Sequence, residues 1–279
     1  HPVAHSFPTR RSSDLMPELP DVAGFKTYLD STALHQPIEK TTVQDERVLK
    51  GVSRQKLAAR LKDNELKGTQ RHGKFLFAEM ADGGHLVFHF GMTGYLRYYH
   101  DGKATPDYAR VILHFQNGRH LAYISKRMLG RVTLVEDLER FVKGQDLGPD
   151  AMDDQLDEEW FLEALKGRRG SVKSTLMDQS TVAGIGNVYA DEILFQSSIH
   201  PATSVNELTE DEKRELFRHV QDVMKRASGR PVQNKGFPDD FLLNQRREQN
   251  KCPRCGDQLS QVEVSGRSSY YCPNCQKKK

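Results

Sequence analysis

The four cysteines are the residues whose spacing best suits a chemical role, and all of them lie in the last 28 positions of the 279-residue chain. They form two Cys-x-x-Cys pairs, Cys252 with Cys255 and Cys272 with Cys275, separated by sixteen residues. Four thiolates on two tight turns can complete a tetrahedral shell around one Zn²⁺ and leave no open position for catalysis. The spacing predicts a structural zinc site, and the alternatives are two disulfides or two redox dithiols.

The segment between the two pairs has the pattern of a short β-hairpin. Gln261–Val264 and Ser269–Tyr271 fit its two strands, so residues 251–279 are expected to form a zinc ribbon. A segment this short buries little apolar surface, and the metal would therefore supply much of its folding free energy. Arg267, near the tip of the hairpin, would point outward, where it could contact DNA or simply be solvated.

The charge distribution points to a polyanionic partner at the C-terminal end. The formal net charge of the whole chain is only +3. From Lys225 to Lys279, however, there are twelve Lys or Arg and five Asp or Glu, a local net charge of +7. A basic module on a near-neutral chain is typical of a segment that contacts nucleic acid, although ordinary solvated surfaces carry such charges too.

Hydropathy gives no sign of a membrane protein. No run of 18 or more apolar residues is present, so a transmembrane helix is not expected. No secretory leader pattern is found either, which favours a location in the bacterial cytosol or nucleoid. Residues 1–15 are polar and lack apolar periodicity, and we expect them to be an extraneous tail that takes no part in the fold.

The residues after this tail change from a helical to a strand-like pattern. Asp21–Leu34 carries apolar residues close to a helical period, and Pro20 suits the first turn of such a helix. Residues 41–135 then form short alternating or apolar runs, including a hairpin around Ala81–Gly84. The pattern of this region predicts an antiparallel β-sandwich or barrel.

The pattern becomes helical again after residue 147. Asp157–Leu165 and Leu208–Ala227 have apolar residues at three- and four-residue spacing, and Thr209 with Glu212 is typical of a helix start. The predicted fold class is therefore α+β and multidomain. The expected domains are the N-terminal β-sandwich with its leading helix (16–146), a helical domain with its linker (147–250) and the ribbon (251–279).

Five motifs in this order resemble the formamidopyrimidine-DNA glycosylase/endonuclease VIII family, with a leaning toward its formamidopyrimidine-DNA glycosylase branch. They span the chain from residue 17 to the ribbon and are Pro17–Val22 (PELPDV), Arg71–Leu76 (RHGKFL), His89–Gly94 (HFGMTG), Val182–Glu192 (VAGIGNVYADE) and Arg267–Cys272 (RSSYYC). The resemblance implies a β-sandwich that begins with a helix, a helix–two-turn–helix domain, and DNA in the cleft between them.

The resemblance also implies catalytic residues in the first two motifs. An N-terminal Pro17 would offer a secondary amine with a pKa near 8, like other α-amino groups, so that a useful fraction is unprotonated and nucleophilic. Glu18 would be the general acid/base that protonates the sugar ring oxygen as it opens; without the other motifs it would be an ordinary first-turn helix charge. Lys74 would contact the phosphate at the lesion, and the alternative is a solvated lysine at a strand edge.

Three residues would hold the phosphates of the DNA backbone if the resemblance is carried over. Lys173 and Asn187 match residues that bind the phosphates flanking the lesion, and Arg267 would bind a phosphate from the ribbon. Two acidic residues, Asp21 and Glu192, match further positions in the family's pocket. Both could equally be charges on a helix surface.

An enzyme that acts on a base must take that base out of the stack, and something must fill the gap. Met92, Arg127 and Leu129 match the family's inserting residues, and apolar wedges of this kind occur in proteins that unstack DNA. The alternative for Leu129 is core packing.

The resemblance thus implies a bifunctional DNA glycosylase and AP lyase of base excision repair. It would remove oxidised bases, with oxidised purines such as 8-oxoguanine and formamidopyrimidines as the expected substrates, and cut the strand by β,δ-elimination. Damaged double-stranded DNA is the expected partner, and a monomer is expected. Because a peptide-bonded proline has no nucleophilic lone pair, the working enzyme is expected to begin at Pro17 after loss of Met16. A non-catalytic DNA-binding module with the same fold is the alternative.

Three segments depart from the family pattern. Asp21 stands where glutamate is usual, and Ser125–Leu129 (SKRML) replaces the usual Asp-Pro-Arg-Arg-Phe. Arg230–Asn250 does not resemble the family's lesion-capping loop. The changed inserting loop bears on recognition of the opposite base. Lesion preference in the family depends partly on the capping loop, so the choice between oxidised purines and oxidised pyrimidines stays open.

Overall fold

The computed structural model describes residues 16–228, 236–246 and 249–278. These residues form two compact units, the first ending at residue 145 and the second beginning at residue 146. The predicted tail, 1–15, lies outside the described residues, as does part of the segment that departs from the family's capping loop.

Eight strands and three helices make up the first unit. The strands are β1 (Ile38–Val43), β2 (Leu66–His72), β3 (Phe75–Met80), β4 (His85–His89), β5 (Tyr95–His100), β6 (Ala109–Phe115), β7 (Arg119–Ile124) and β8 (Arg131–Val135). The helices are α1 (Leu19–Thr32), α2 (Arg54–Leu61) and α3 (Leu138–Gly144), and Glu46–Val48 forms a 3-10 turn.

The strands form two antiparallel sheets, in the orders β1-β6-β7-β5 and β2-β3-β4-β8. Side chains from both sheets, among them Leu76, Phe88, Leu113 and Tyr123, share one apolar core. The rings of Phe88 and Tyr123 lie 5.9 Å apart, and the Tyr123 hydroxyl donates to the carbonyl of His89 at 2.8 Å. The first unit is therefore a β-sandwich, which decides between the sandwich and the barrel that the sequence allowed.

Helix α1 closes the sandwich core with the apolar side chains that its sequence period predicted. Val22, Phe25 and Leu29 are all buried, and the Phe25 ring lies 4.4 Å from the ring of Phe90. Burying each of these side chains is worth about 1.5–3 kcal/mol. The packing fixes the first turn of α1, and with it the position of Glu18.

The second unit is helical and ends in a two-stranded ribbon. Its elements are α4 (Glu158–Leu165), α5 (Val172–Met177), α6 (Asn187–Gln196), α7 (Glu210–Ser228), β9 (Ser260–Val264) and β10 (Arg267–Tyr271), with 3-10 turns at Val205–Glu207 and Leu242–Asn244. The predicted start of α7 is confirmed, because the Glu212 carboxylate accepts from the Thr209 backbone at 2.8 Å and the Thr209 hydroxyl accepts from Glu212 N at 3.3 Å.

Two turns over residues 178–186 join α5 to α6 and give the helix–two-turn–helix arrangement. The Gln179 side chain organises the second turn, since its amide nitrogen donates to the carbonyl of Ile185 at 2.7 Å and its oxygen accepts from Gly184 N at 3.1 Å. None of the helices in the described part of the chain combines the length and hydropathy needed to cross a bilayer. The predicted fold class, an α+β multidomain protein with sandwich, helical domain and ribbon, is confirmed.

Candidate active site and nucleic-acid interface

The start of α1 places a buried carboxylate next to Pro17. Glu18 is the N-cap residue of α1 and is only 1% exposed, whereas Pro17 is half-buried. The Asp21 carboxylate accepts from the Glu18 backbone N–H at 3.1 Å, which holds this turn in place. Asp21 is half-buried and caps the helix, and its predicted place in the substrate pocket stays a prediction. A carboxylate at a helix N-terminus is stabilised by the helix dipole.

Lys74 lies in the two-residue turn between β2 and β3. His72 pairs with Phe75 across this turn, and Gly73 has a φ of 54°, a left-handed conformation that favours glycine. Lys74 is buried to 8% exposure, so the alternative of a solvated strand-edge lysine is wrong. The tight turn fixes the side chain on the β-sandwich rather than leaving it free in solvent.

Arg131 adds a second positive charge near Lys74, and His89 lies beside it. His89 and Arg131 are paired across β4 and β8, and the Arg131 guanidinium lies 4.9 Å from the ring centroid of Phe75. Burial, with the charges of Arg131 and Lys74, lowers the pKa of His89 to about 4. Its imidazole is therefore neutral at pH 7.

The proton on the neutral His89 ring can be located. Gly91 N donates to His89 Nδ1 at 3.3 Å, so the ring proton is on Nε2, which is a hydrogen-bond donor. Neither His89 nor Arg131 was predicted from the sequence to have a role. The signal was there, because His89 opens the third family motif, but only the strand register shows that it lies beside Arg131.

The three predicted inserting residues lie in two loops that touch. Met92 is half-buried in the turn after β4, and Arg127 N donates to the hydroxyl of Thr93 in the same turn at 3.1 Å. A Cβ on Gly91 would lie 2.4 Å from the carbonyl carbon of Leu129, so this close approach requires glycine. Arg127 and Leu129 are exposed, Leu129 by 56%. The alternative of core packing for Leu129 is therefore wrong.

In the second unit, the structure brings Asn187 and the ribbon together. Asn187 is the first residue of α6, and its amide nitrogen donates to the carbonyl of Ser268 at 3.2 Å. Arg267, the neighbour of Ser268, is exposed at the first position of β10, directly after the two-residue tip of the hairpin. The two predicted phosphate-binding residues therefore lie beside each other in the second unit.

Lys173 requires a correction. Its side chain is 0% exposed, and its ammonium donates to the Asp191 carboxylate at 2.7 Å and to the Ser269 hydroxyl at 2.6 Å. It also donates to the carbonyl of Ser268 at 3.3 Å. A phosphate oxygen cannot reach an ammonium that is buried and paired in this way. The prediction that Lys173 contacts the DNA backbone is wrong in this structure, and Lys173 instead joins α5 to α6 and the ribbon.

Asp191 is the centre of this buried network. Besides Lys173, its carboxylate accepts from Arg246 Nε at 2.9 Å and from the backbone of Tyr270 at 3.2 Å. Charges this deep in a protein are tolerated only when they are paired and hydrogen-bonded. The network fixes β10 to α6, and thereby fixes the position of Arg267 relative to Asn187.

Glu192, the other predicted pocket acid, is fully buried in α6 and is not a surface charge. Its carboxylate accepts from Leu243 N at 2.9 Å and from the Gln196 amide at 2.7 Å. Burial is the largest influence on this carboxyl group and raises its pKa to about 7. Glu192 therefore fastens the 3-10 turn at Leu242–Asn244 to α6.

The raised pKa of Glu192 makes stability depend on pH. Between the ordinary value of 4.5 and about 7, the folded protein binds more protons than the unfolded chain, so the free energy of unfolding falls as pH rises. Glu192→Gln removes this titration. We expect the free energy of unfolding of the variant minus that of the parent to rise by about 2–3 kcal/mol from pH 5 to pH 8.

Urea unfolding followed by the fluorescence of Trp160, the only tryptophan, measures this difference in the second unit. Other buried groups titrate equally in both proteins and cancel in the comparison. The same pH dependence in variant and parent would show that Glu192 is not the group responsible.

The four cysteines lie together at the end of the ribbon. Their Sγ atoms are all within 4.8 Å of one another, with Cys252 to Cys275 at 3.9 Å and Cys255 to Cys272 at 3.5 Å. Tetrahedral Zn–S bonds of about 2.3 Å place sulfurs slightly under 4 Å apart, so the donor set fits Zn²⁺. No disulfide joins any two of the four cysteines, which excludes the alternative of two disulfides.

Three family models match successive parts of the chain. They describe the formamidopyrimidine-DNA glycosylase N-terminal domain (residues 16–132), the formamidopyrimidine-DNA glycosylase H2TH domain (147–233) and the zinc finger found in FPG and IleRS (249–278). The formamidopyrimidine-DNA glycosylase of Pelotomaculum thermopropionicum is 32% identical over 280 residues, covering 95% of this chain and 100% of that protein. The chain belongs to the formamidopyrimidine-DNA glycosylase family.

Solved structures of the same family share the fold along most of the chain. The complex of Lactococcus lactis FPG (MutM) with FAPY-dG containing DNA has a TM-score of 0.86 at 26% identity, covering 94% of this chain and 100% of that one. MutM in complex with carbocyclic 8-oxo-G containing DNA has a TM-score of 0.85 at 26% identity and the same coverage. The zinc finger match and the cysteine geometry together establish the ribbon as a structural zinc module.

Proposed function

We propose that this family member is a DNA glycosylase with AP lyase activity that removes oxidised purines from double-stranded DNA as a monomer. The observation that carries the proposal is the buried Glu18 carboxylate at the N-cap of α1, directly after Pro17. The solved relatives bound to FAPY-dG and 8-oxo-G support the substrate class. Because the substrate is chromosomal DNA, the proposed place of action is the bacterial cytosol and nucleoid.

The first chemical step joins Pro17 to the sugar of the damaged nucleotide. The nitrogen lone pair of an N-terminal Pro17 forms a bond to C1′, and the bond from C1′ to the base breaks, with the electron pair leaving on the base. The Pro17 nitrogen then loses its own proton to water, Glu18 gives a proton to the ring oxygen as the C1′–O4′ bond breaks, and an iminium remains. A carboxyl group held by a helix turn and shielded from water is suited to deliver this proton to one atom.

The iminium then allows strand cleavage. It withdraws electrons, so loss of a proton from C2′ expels the 3′ phosphate, and loss of a second proton from C4′ expels the 5′ phosphate. Lys74, Arg131 and the Nε2–H of His89 would bind a phosphate beside the reacting sugar. Two cations and a neutral donor stabilise the negative charge on phosphate without taking its proton.

The remaining contacts hold the DNA in a form that exposes the damaged base. Met92, Arg127 and Leu129 would occupy the space that this base leaves, since the two loops that carry them touch and two of the three side chains are exposed. Asn187 and Arg267 would bind backbone phosphates from the second unit. Zn²⁺, held by Cys252, Cys255, Cys272 and Cys275, supplies folding free energy to the ribbon.

Borohydride trapping tests the nucleophile. Protein that begins at Pro17 is incubated with duplexes carrying 8-oxoguanine or an abasic site, and borohydride then delivers hydride to any iminium. We expect a stable protein–DNA adduct of one-to-one stoichiometry. Protein that keeps residues 1–16 serves as the matched control, and we expect no adduct from it because a peptide-bonded proline cannot form an iminium.

Two results would overturn the proposal. Efficient trapping by protein shown by mass to retain residues 1–16 would exclude the Pro17 amine as nucleophile. Tight binding to an abasic site without an adduct from either protein would favour the non-catalytic DNA-binding module.

A further inference from the structure

Tyr108 is an exposed aromatic residue beside the loop that carries the inserting residues. It is 48% exposed, and the large apolar side chains exposed in the described residues are Tyr108, Leu129 and Met152. Its carbonyl accepts from Ser125 N at 3.0 Å, which ties Tyr108 to the start of the Ser125–Gly130 loop. Two of the three exposed apolar side chains therefore lie at the same end of the β-sandwich.

Two cations lie within about 6 Å of the centroid of the Tyr108 ring. The Arg110 guanidinium lies 5.6 Å and the Lys126 ammonium 5.7 Å from the ring centroid. Arg110 is held in place, since its Nε donates to the Ser125 carbonyl at 2.9 Å and one of its terminal nitrogens lies 3.9 Å from the Asp45 carboxylate. Lys126 is exposed. An exposed aromatic ring with positive charges close by is the arrangement with which proteins bind bases and phosphates of unpaired nucleic acid.

The backbone at this end is held in an unfavourable conformation. Tyr108 has a φ of 59° and Met128, in the neighbouring loop, has a φ of 57°. Large side chains rarely adopt this left-handed region, and such conformations persist where the surrounding structure enforces them, often at binding sites. Hydrogen bonds lie beside both residues, from Ser125 N to the Tyr108 carbonyl and from Arg127 N to the Thr93 hydroxyl.

We propose that Tyr108 is a stacking platform for a DNA base that has lost its stacking partner, with Arg110 and Lys126 binding the adjoining phosphates. The inference rests on the proposed function, because extrusion of the lesion is what leaves a base unstacked beside the inserting loop. A tyrosine ring can stack on the face of any base, so binding should depend little on sequence. Because only an unstacked base exposes its face, the platform should bind gapped DNA more tightly than intact duplex.

Two matched variants separate stacking from general apolar contact. Tyr108→Phe keeps the ring, whereas Tyr108→Leu keeps apolar bulk without a ring, and both have the same branching and the same left-handed backbone. The dissociation constant is measured for a duplex with a tetrahydrofuran abasic analogue and for an intact duplex. We expect Tyr108→Leu to weaken binding of the analogue duplex by about 5- to 100-fold, the value of stacking one base, and to change the intact duplex less than twofold.

Tyr108→Phe is expected to bind both duplexes within twofold of the parent. Equal affinities for the Leu and Phe variants on the analogue duplex would overturn the platform, and so would an equal loss on both duplexes. The borohydride assay on the parent keeps the two proposals distinguishable. An adduct from the parent with equal binding by the two variants would disprove the stacking role of Tyr108 but support the glycosylase and lyase activity. The predicted difference in binding without an adduct would support the stacking role but disprove the proposed Pro17 chemistry.

Discussion

Glu18→Gln is expected to abolish glycosylase turnover while leaving the affinity for an uncleavable abasic duplex unchanged within about twofold. The amide keeps the size of the side chain but cannot donate the proton that the opening sugar ring requires. General acid catalysis by a positioned group typically contributes about 10²- to 10⁴-fold, so the single-turnover rate of 8-oxoguanine release should fall by that factor. The free energy of unfolding should change little, because glutamine has nearly the same size and its amide oxygen can still accept a hydrogen bond from the backbone of the first helical turn.

Asp21→Asn provides the matched control for this variant. Asp21 lies in the same helical turn and caps the Glu18 backbone through its carboxylate, but it has no proposed role in proton transfer. We expect its rate to fall much less, because the amide oxygen can still accept from Glu18 N. Turnover by Glu18→Gln at the parental rate would show that the acid is another group, and a comparable loss in both variants would point to helix capping as the cause.

The secondary structure of both units could be predicted well because its signals are local. The turn residues of Ala81–Gly84 between two apolar runs predicted a hairpin, and β3 and β4 pair across this turn with Phe77 opposite Val87. The helical period after Pro20 predicted α1. The helix begins at Leu19, two residues before the predicted start at Asp21. A pattern that depends on residues two to four positions apart is readable from one sequence.

The cysteine site could be predicted for the same reason, since two pairs at fixed spacing leave few geometries. The buried contacts of the Lys173, Asp191 and Glu192 side chains could not be predicted in this way. The partners of Lys173 lie 18 and 96 residues away along the chain, and nothing in the local pattern distinguishes a buried lysine from one that binds phosphate. The family motif predicted a phosphate contact from the position of Lys173 in the sequence. The burial that decides its role arises only when α5, α6 and the ribbon pack together.

For Leu129 in the inserting loop, the sequence left open a burial that the structure does not show. Leucine is a common core residue, and the sequence left core packing open for Leu129. Its exposure follows from the turn geometry around Gly91 and Gly130, where backbones approach too closely for a side chain to fit between them. The platform at Tyr108 was not expected from the sequence for a related reason, because its partners Arg110 and Lys126 come together only through the pairing of β6 with β7.

The buried network predicts a large loss of stability on removal of Lys173. Lys173→Met retains most of the apolar stem but leaves Asp191 with one cation instead of two and leaves the Ser269 hydroxyl without its charged donor. Breaking a buried ion pair by removing one partner typically costs about 3–5 kcal/mol. We therefore expect the free energy of unfolding of the second unit, followed by the fluorescence of Trp160, to fall by about that amount.

Lys166→Met is the control for a lysine of the same unit that is not buried. Its side chain is 74% exposed and pairs with Glu163 on the surface, where such pairs contribute about 0–1 kcal/mol. If Lys173 instead held a backbone phosphate, Lys173→Met would unfold like this control and would weaken DNA binding in a salt-dependent way. That outcome would restore the predicted contact between Lys173 and the DNA backbone. Loss of stability in Lys173→Met but not in Lys166→Met, without a change in the salt dependence of DNA binding, would show that Lys173 acts on DNA only indirectly, by keeping Arg267 beside Asn187.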